Sequence, residues 1–235
     1  MKNLSNHNII VLGDSISKGV FLEDRNIKKI DNSAIEIVNK EYGIEIKNRS
    51  VFGQTLKRVY DKGLVKNLVK DFENGKKNIV VIALGGNDAD YDWKEVALSP
   101  LEKHQPKTPL AEFEKLLKTV ITFLQQNGAE VIVNSIFPMD SKRYFDSVIS
   151  KIADSNNVLK FLDNDLTNLS RHQEGFNNTV RSVVAETGCK FIDYRSPLLM
   201  QNDFLTYFCD DGIHPNQKGH EFIAKIVEDF IENRK

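Results

Sequence analysis

Ser15 follows the apolar run Ile9-Ile10-Val11-Leu12 through Gly13-Asp14. A run apolar at every position reads as a strand buried on both faces, as in a parallel sheet. In open α/β sheets the crevice outside the carboxyl ends of the strands is where ligands bind, so a serine delivered there is a candidate nucleophile. A serine hydroxyl is weak by itself: the chain must also supply a base, an acid to orient it and donors for a developing oxyanion. The stretch Cys209-Asp210-Asp211-Gly212-Ile213-His214-Pro215-Asn216 carries a histidine and two aspartates just before a strongly patterned helix. Two glycine-marked turns lie between, Asn48-Arg49-Ser50-Val51-Phe52-Gly53 and Gly85-Gly86-Asn87-Asp88, each after a strand-like run. Singly, each has a plainer role: a helix cap at Ser15, turns at Gly53 and Asn87, a capping or surface histidine at His214.

The elements that must position these residues are legible in outline. After Ser15 and a charged stretch through Lys29, apolar residues from Ile27 through Ile30, Ala34, Ile37 and Val38 recur at helical spacing and stop before Gly43, a suitable C′ glycine. Ile44 and Ile46 alternate with Glu45 and Lys47, a half-exposed strand suited to a sheet edge. Leu56, Val59, Tyr60, Leu64 and Leu68 mark the next helix. Ile79 to Leu84 is apolar throughout and reads as a central strand. Ala89 to Lys107 is a nineteen-residue loop without periodicity. Thr108 as N-cap and Pro109 at the first position open a helix with Leu110, Phe113, Leu117, Val120, Ile121 and Leu124 on its buried face. Val131 to Val133 and Phe191-Ile192 are the fourth and fifth strands. Helices near 144–162 and 165–186 lie between them, and a final helix carries Phe222, Ile223, Ile226, Val227, Phe230 and Ile231. Five strands alternating with helices predict right-handed crossovers and an α/β/α three-layer, flavodoxin-like sandwich with a parallel sheet in the order 2-1-3-4-5. That order puts Ser15 and Asn87 on neighbouring strands.

Composition narrows the function. A chain of 235 residues, 40% hydrophobic and 28% charged, suits a single α/β domain over 1–235. With 32 basic and 33 acidic residues the net charge is −1, which disfavours nucleic acid as a partner. Cys189 and Cys209 are too few for a disulfide framework and lack zinc-type spacing. No apolar run reaches the length of a membrane span or of a secretory h-region, so the expected location is the cytoplasm.

Gly13-Asp14-Ser15, Gly53, Gly85-Gly86-Asn87-Asp88 and Asp211-Gly212-Ile213-His214 resemble the four sequence blocks of the SGNH (GDSL) hydrolase family. They stand in the family's order and span nearly the whole chain. The resemblance implies a serine esterase that needs no cofactor or metal. It assigns Ser15 as nucleophile, His214 as general base and then acid, and Asp211 as the group that holds the imidazole. The backbone N–H groups of Ser15 and Gly53 and the side-chain amide of Asn87 are the implied oxyanion donors. The three-residue spacing to His214 selects Asp211 over Asp210, which is expected to be solvated. His7, His104, His172 and His220 are expected to be structural or exposed.

Other motifs fail. Gly13 to Gly19 lacks the Gly-Lys-Ser/Thr of a phosphate loop. Asp88-Ala89-Asp90-Tyr91-Asp92 opens like a calcium loop but has Trp93 and Ser99 where glycine and glutamate belong. Gly-x-Ser-x-Gly is absent, against the α/β-hydrolase elbow. Tyr91 and Trp93 in the loop 89–107 are candidate substrate-binding residues, and that loop or the segment 140–178 could form a lid. The expected activity is carboxylic ester hydrolysis through an acyl-enzyme, on short acyl chains such as acetyl and on a small-molecule, carbohydrate or lipid ester. Thioesterase and lysophospholipase action fit the same site. The alternative is a non-catalytic glycan- or protein-binding module, whose mark would be a missing triad position; none is missing.

Overall fold

The computed structural model describes residues 3–23 and 26–233. Met1 at the start of the expected domain, and Asp24 and Arg25 in the charged stretch before Lys29, lie outside the described residues. The strands β1 (His7–Gly13), β4 (Lys47–Asn48), β5 (Lys77–Ala83), β6 (Glu130–Asn134) and β7 (Lys190–Ile192) form one sheet, with β2 (Val20–Glu23) and β3 (Asn26–Lys29) apart from it. The sheet runs β4-β1-β5-β6-β7 with every neighbouring pair parallel. Counting only its own strands, this is the order 2-1-3-4-5. The edge strand is there, but it is Lys47–Asn48: of the expected stretch from Ile44 to Lys47 only Lys47 belongs to it.

Side chains alternate along these strands and so supply two cores. Ile10, Leu12, Val80, Ile82, Val131 and Val133 pack against Leu56, Phe113, Leu117, Phe176 and Val180 from the helices Leu56–Asp61, Leu110–Gln126 and Thr167–Thr187. Ile79, Ile132 and Ile192 face the other way, toward Ile223, Phe222 and Val227 of the helix Gln217–Asn233. The helix Ala34–Tyr42 covers that same face beside it.

Several local expectations change. The helix expected from Ile27 begins at Ala34, because Ser33 and Glu36 form a reciprocal capping box there. Asn26–Lys29 pairs instead with Val20–Glu23 as an antiparallel hairpin. The helix over 56–68 is two, broken at Gly63 with φ +63. Thr108 caps nothing: its hydroxyl donates to the buried Asp88 at 2.6 Å, and the helix starts after Pro109. The segment expected as one helix near 144–162 is interrupted at Ala153, where the backbone is extended, and restarts at Ser155 from the cap Asp154.

The loop 89–107 contains the helix Trp93–Leu98, capped by Asp92. Its ends are stapled by Lys107 N–H to Asp90 O at 2.7 Å, Thr108 N–H to Asp88 O at 3.0 Å and the Lys107–Asp90 ion pair. Trp93 and Val96 pack with Tyr144, Phe145, Ile149, Val158, Leu162 and Leu169. The two segments suspected of lid function therefore share one small core and together form a cap over the sheet.

Candidate active site

Gly13 ends β1 in register with Ala83 of β5, so the residues that follow each strand emerge side by side. Asp14 caps the one-turn helix Ser15–Lys18, its Oδ1 accepting from the Ile16 N–H at 3.0 Å. Its Oδ2 accepts from Asn87 Nδ2 at 3.4 Å. The expected proximity of Ser15 and Asn87 is thus made by the aspartate between them, a residue to which the sequence reading gave no role.

From the other end of the chain, the turn Asp211–His214 brings an imidazole onto the serine. His214 Nε2 lies 2.7 Å from Ser15 Oγ, and His214 Nδ1 lies 2.6 Å from Asp211 Oδ2. A carboxylate can only accept, so Nδ1–H donates to Asp211, leaving Nε2 to accept from the serine hydroxyl. All three side chains are buried. The turn caps itself: Asp211 Oδ1 accepts the N–H groups of Ile213 and His214. Burial alone would raise the Asp211 carboxyl; the hydrogen bond and charge of His214, with the N–H groups of Leu22 and Ile213, outweigh it and hold the group below the usual carboxylate range. Asp210 is exposed. Cys209 is buried, and burial with the charges of Asp211 and Asp210 pushes its thiol up to about 12, so it stays protonated.

Gly212, at φ +73, presses on the cap: a Cβ there would stand 2.7 Å from Asp140 O and Tyr144 N. Gly53 also has a left-handed backbone, φ +66, but a Cβ there would meet no atom within 4 Å. Conformation, rather than crowding by the protein, therefore requires that glycine. Phe52 beside it stacks on the His214 ring at 6.2 Å between centroids and 21° between planes.

Ser15, Gly53, Asn87 and His214 line one cleft of about 880 Å³, together with Tyr91, Trp93 and His172. Trp93 is only 3% exposed. Its indole N–H reaches Asp90 Oδ1 at 2.9 Å and the Tyr144 hydroxyl at 3.2 Å, which makes it mainly a core residue of the cap. Tyr91 is half-buried among Trp93, Phe161 and His172, with ring centroids 4.9 to 5.4 Å away. His172, expected to be structural or exposed, is half-buried against Tyr91 and Phe176 and also lines the cleft. No local motif marks it, because it arrives on the long helix Thr167–Thr187 from another part of the chain. His220 fits its expectation: buried, with Nδ1 accepting from the Ala34 N–H at 3.2 Å. Among the described residues no cluster of three or more potential metal ligands exists.

Asp14 yields a pH prediction. Burial pushes its carboxyl up to about 6 from 3.8. Between those values the folded chain keeps a proton that the unfolded chain has released, so this group's contribution to stability falls as pH rises through the window. Asp14→Asn should be more stable than wild type at pH 8, by about 2 to 3 kcal/mol, and nearly equal to it at pH 4. Denaturant unfolding at the two pH values checks this.

The model of the GDSL-like lipase/acylhydrolase family matches residues 11–222 of the chain. No curated protein matches it by sequence. Among solved structures, an acetyl-xylooligosaccharide esterase from Geobacillus is similar with a TM-score of 0.65 and 17% identity, over 99% of this chain and 96% of that one. A lipolytic protein of the G-D-S-L family from Veillonella parvula gives 0.64 and 16%, over 97% and 100%. The esterase EstA from Pseudoalteromonas gives 0.54 and 18%, over 97% of both. At such identities the likeness is one of fold. No helix among the described residues is long and apolar enough to cross a membrane.

Proposed function

The chain belongs to the GDSL-like lipase/acylhydrolase family, and from that premise we propose that it is a serine-dependent carboxylic ester hydrolase working through an acyl-enzyme. The observation that carries the reading is the buried hydrogen-bonded chain Asp211–His214–Ser15, at 2.6 and 2.7 Å, opening into the cleft.

In this mechanism Ser15 Oγ attacks the ester carbonyl carbon as its proton passes to His214 Nε2. Asp211 fixes the imidazole tautomer and stabilises the imidazolium. The N–H groups of Ser15 and Gly53 and the amide of Asn87 meet the oxyanion. The proton then leaves with the alcohol as the tetrahedral intermediate collapses to the acyl-enzyme. Water, deprotonated by the same nitrogen, attacks the acyl carbonyl and regenerates Ser15.

We assign short acyl groups, such as acetyl. Asp90, Lys107, Asn168, Arg171 and His172 interrupt the apolar lining of the cleft, which favours a polar ester over a long alkyl chain. An acetylated carbohydrate, the substrate class named for the Geobacillus neighbour, falls within this assignment. Hydrolysis of p-nitrophenyl acetate, butyrate and octanoate tests it: kcat/KM should fall by about tenfold or more from acetate to octanoate, since misfit of a chain costs 1–3 kcal/mol. Preference for octanoate would overturn the acyl assignment. No turnover of any ester by folded protein would favour the binding-module alternative.

A further inference from the structure

We infer that the backbone N–H of Leu22 is a positioning group for catalysis, tying the Asp211 carboxylate to the stretch of chain that carries Ser15. The inference rests on the catalytic reading proposed above for Ser15, His214 and Asp211.

Four hydrogen bonds reach the Asp211 carboxylate among the described residues. Ile213 N–H and His214 N–H donate to Oδ1 at 3.1 and 3.0 Å; His214 Nδ1–H and Leu22 N–H donate to Oδ2 at 2.6 and 2.9 Å. Three of these come from the turn itself and move with it. Only the Leu22 donor comes from elsewhere in the fold, 189 residues away in sequence. It also falls on the oxygen that holds the imidazole, so it fixes the carboxylate rotation that the imidazole follows.

The hairpin is built to offer that donor. Gly19, at φ +72, ends the helix Ser15–Lys18, and Val20–Glu23 follows directly. Ile30 N–H donates to Gly19 O at 2.9 Å, so residues 19 and 30 form a hydrogen-bonded pair. Antiparallel pairs alternate between bonded and unbonded. Three steps on, Leu22 opposite Ile27 is therefore an unbonded pair whose N–H points away from its partner strand. The Leu22 side chain lines the cleft. Eight consecutive residues thus deliver both the serine hydroxyl and the outer donor to the acid, while Asp140 N–H to Gly212 O at 2.8 Å holds the turn from the cap.

Leu22→Pro removes the N–H without removing a ladder bond. With p-nitrophenyl acetate, and with active sites titrated by a fluorophosphonate, kcat per labelled site should fall about 10- to 100-fold below that of Leu22→Ala, with KM within about twofold of that variant's, the scale of one hydrogen bond to a charged group. Leu22→Ala keeps the N–H and loses the cleft-lining side chain, so its main effect should be on KM. A kcat per labelled site in Leu22→Pro equal to that of Leu22→Ala overturns the inference while leaving Ser15 as nucleophile; loss of labelling from the wild type would instead overturn the catalytic reading itself. If Leu22→Pro does not fold, the decision passes to a leucine-15N spectrum: the Leu22 amide proton should lie well downfield and move upfield in Asp211→Ala. An amide that ignores that substitution overturns the inference.

Discussion

Ser15→Ala should lower kcat for p-nitrophenyl acetate by about 10⁵- to 10⁶-fold, with KM nearly unchanged. The expectation follows from how little else the hydroxyl does. Its one described hydrogen bond is to His214 Nε2, and the residue sits at the start of a helix whose cap is Asp14, not Ser15. The variant should therefore fold as wild type, with a thermal midpoint within a few degrees, because neither a cavity nor a cap is lost. Activity that survived in a folded Ser15→Ala would mean that water, or another residue of the cleft, performs the attack.

Asn87→Ala should lower kcat by about 10²- to 10³-fold at nearly constant KM, the usual consequence of removing one oxyanion donor. Asn87 Nδ2 has two hydrogens. One points toward Asp14 Oδ2 at 3.4 Å, which leaves the other for the substrate oxygen in the cleft. A donor in the proposed oxyanion role acts where charge develops, so the expected loss belongs to the transition state and not to substrate binding. Single-turnover measurement of acylation separates the two. A rise in KM with unchanged kcat would make Asn87 a binding residue and move the oxyanion site elsewhere.

Much of this arrangement is legible in the sequence. The run Ile9–Leu12 and the run Ile79–Leu84 read as interior strands, and their ends place Gly13-Asp14-Ser15 and Gly85-Gly86-Asn87 together. The three-residue step from Asp211 to His214 is local, so the histidine's partner could be named from spacing. What escaped was tertiary or belonged to the backbone. Leu22 acts through its N–H, to which its residue type gives no clue. Val20-Phe21-Leu22 and Ile27 make too short a hairpin to outweigh the helical spacing that runs on from Ile27. Thr108 looked like a cap because Pro109 follows it, but a buried carboxylate twenty residues earlier claimed its hydroxyl. His172 and Tyr91 meet only because two separate segments share a core.

The nucleophilic role proposed for Ser15 is tested by treating the folded protein with a fluorophosphonate and locating the adduct by peptide mass spectrometry, alongside Ser15→Ala. One stoichiometric adduct on Ser15 is expected, abolished in the variant together with ester turnover. An unlabelled wild type, or an adduct on any other residue, would contradict it.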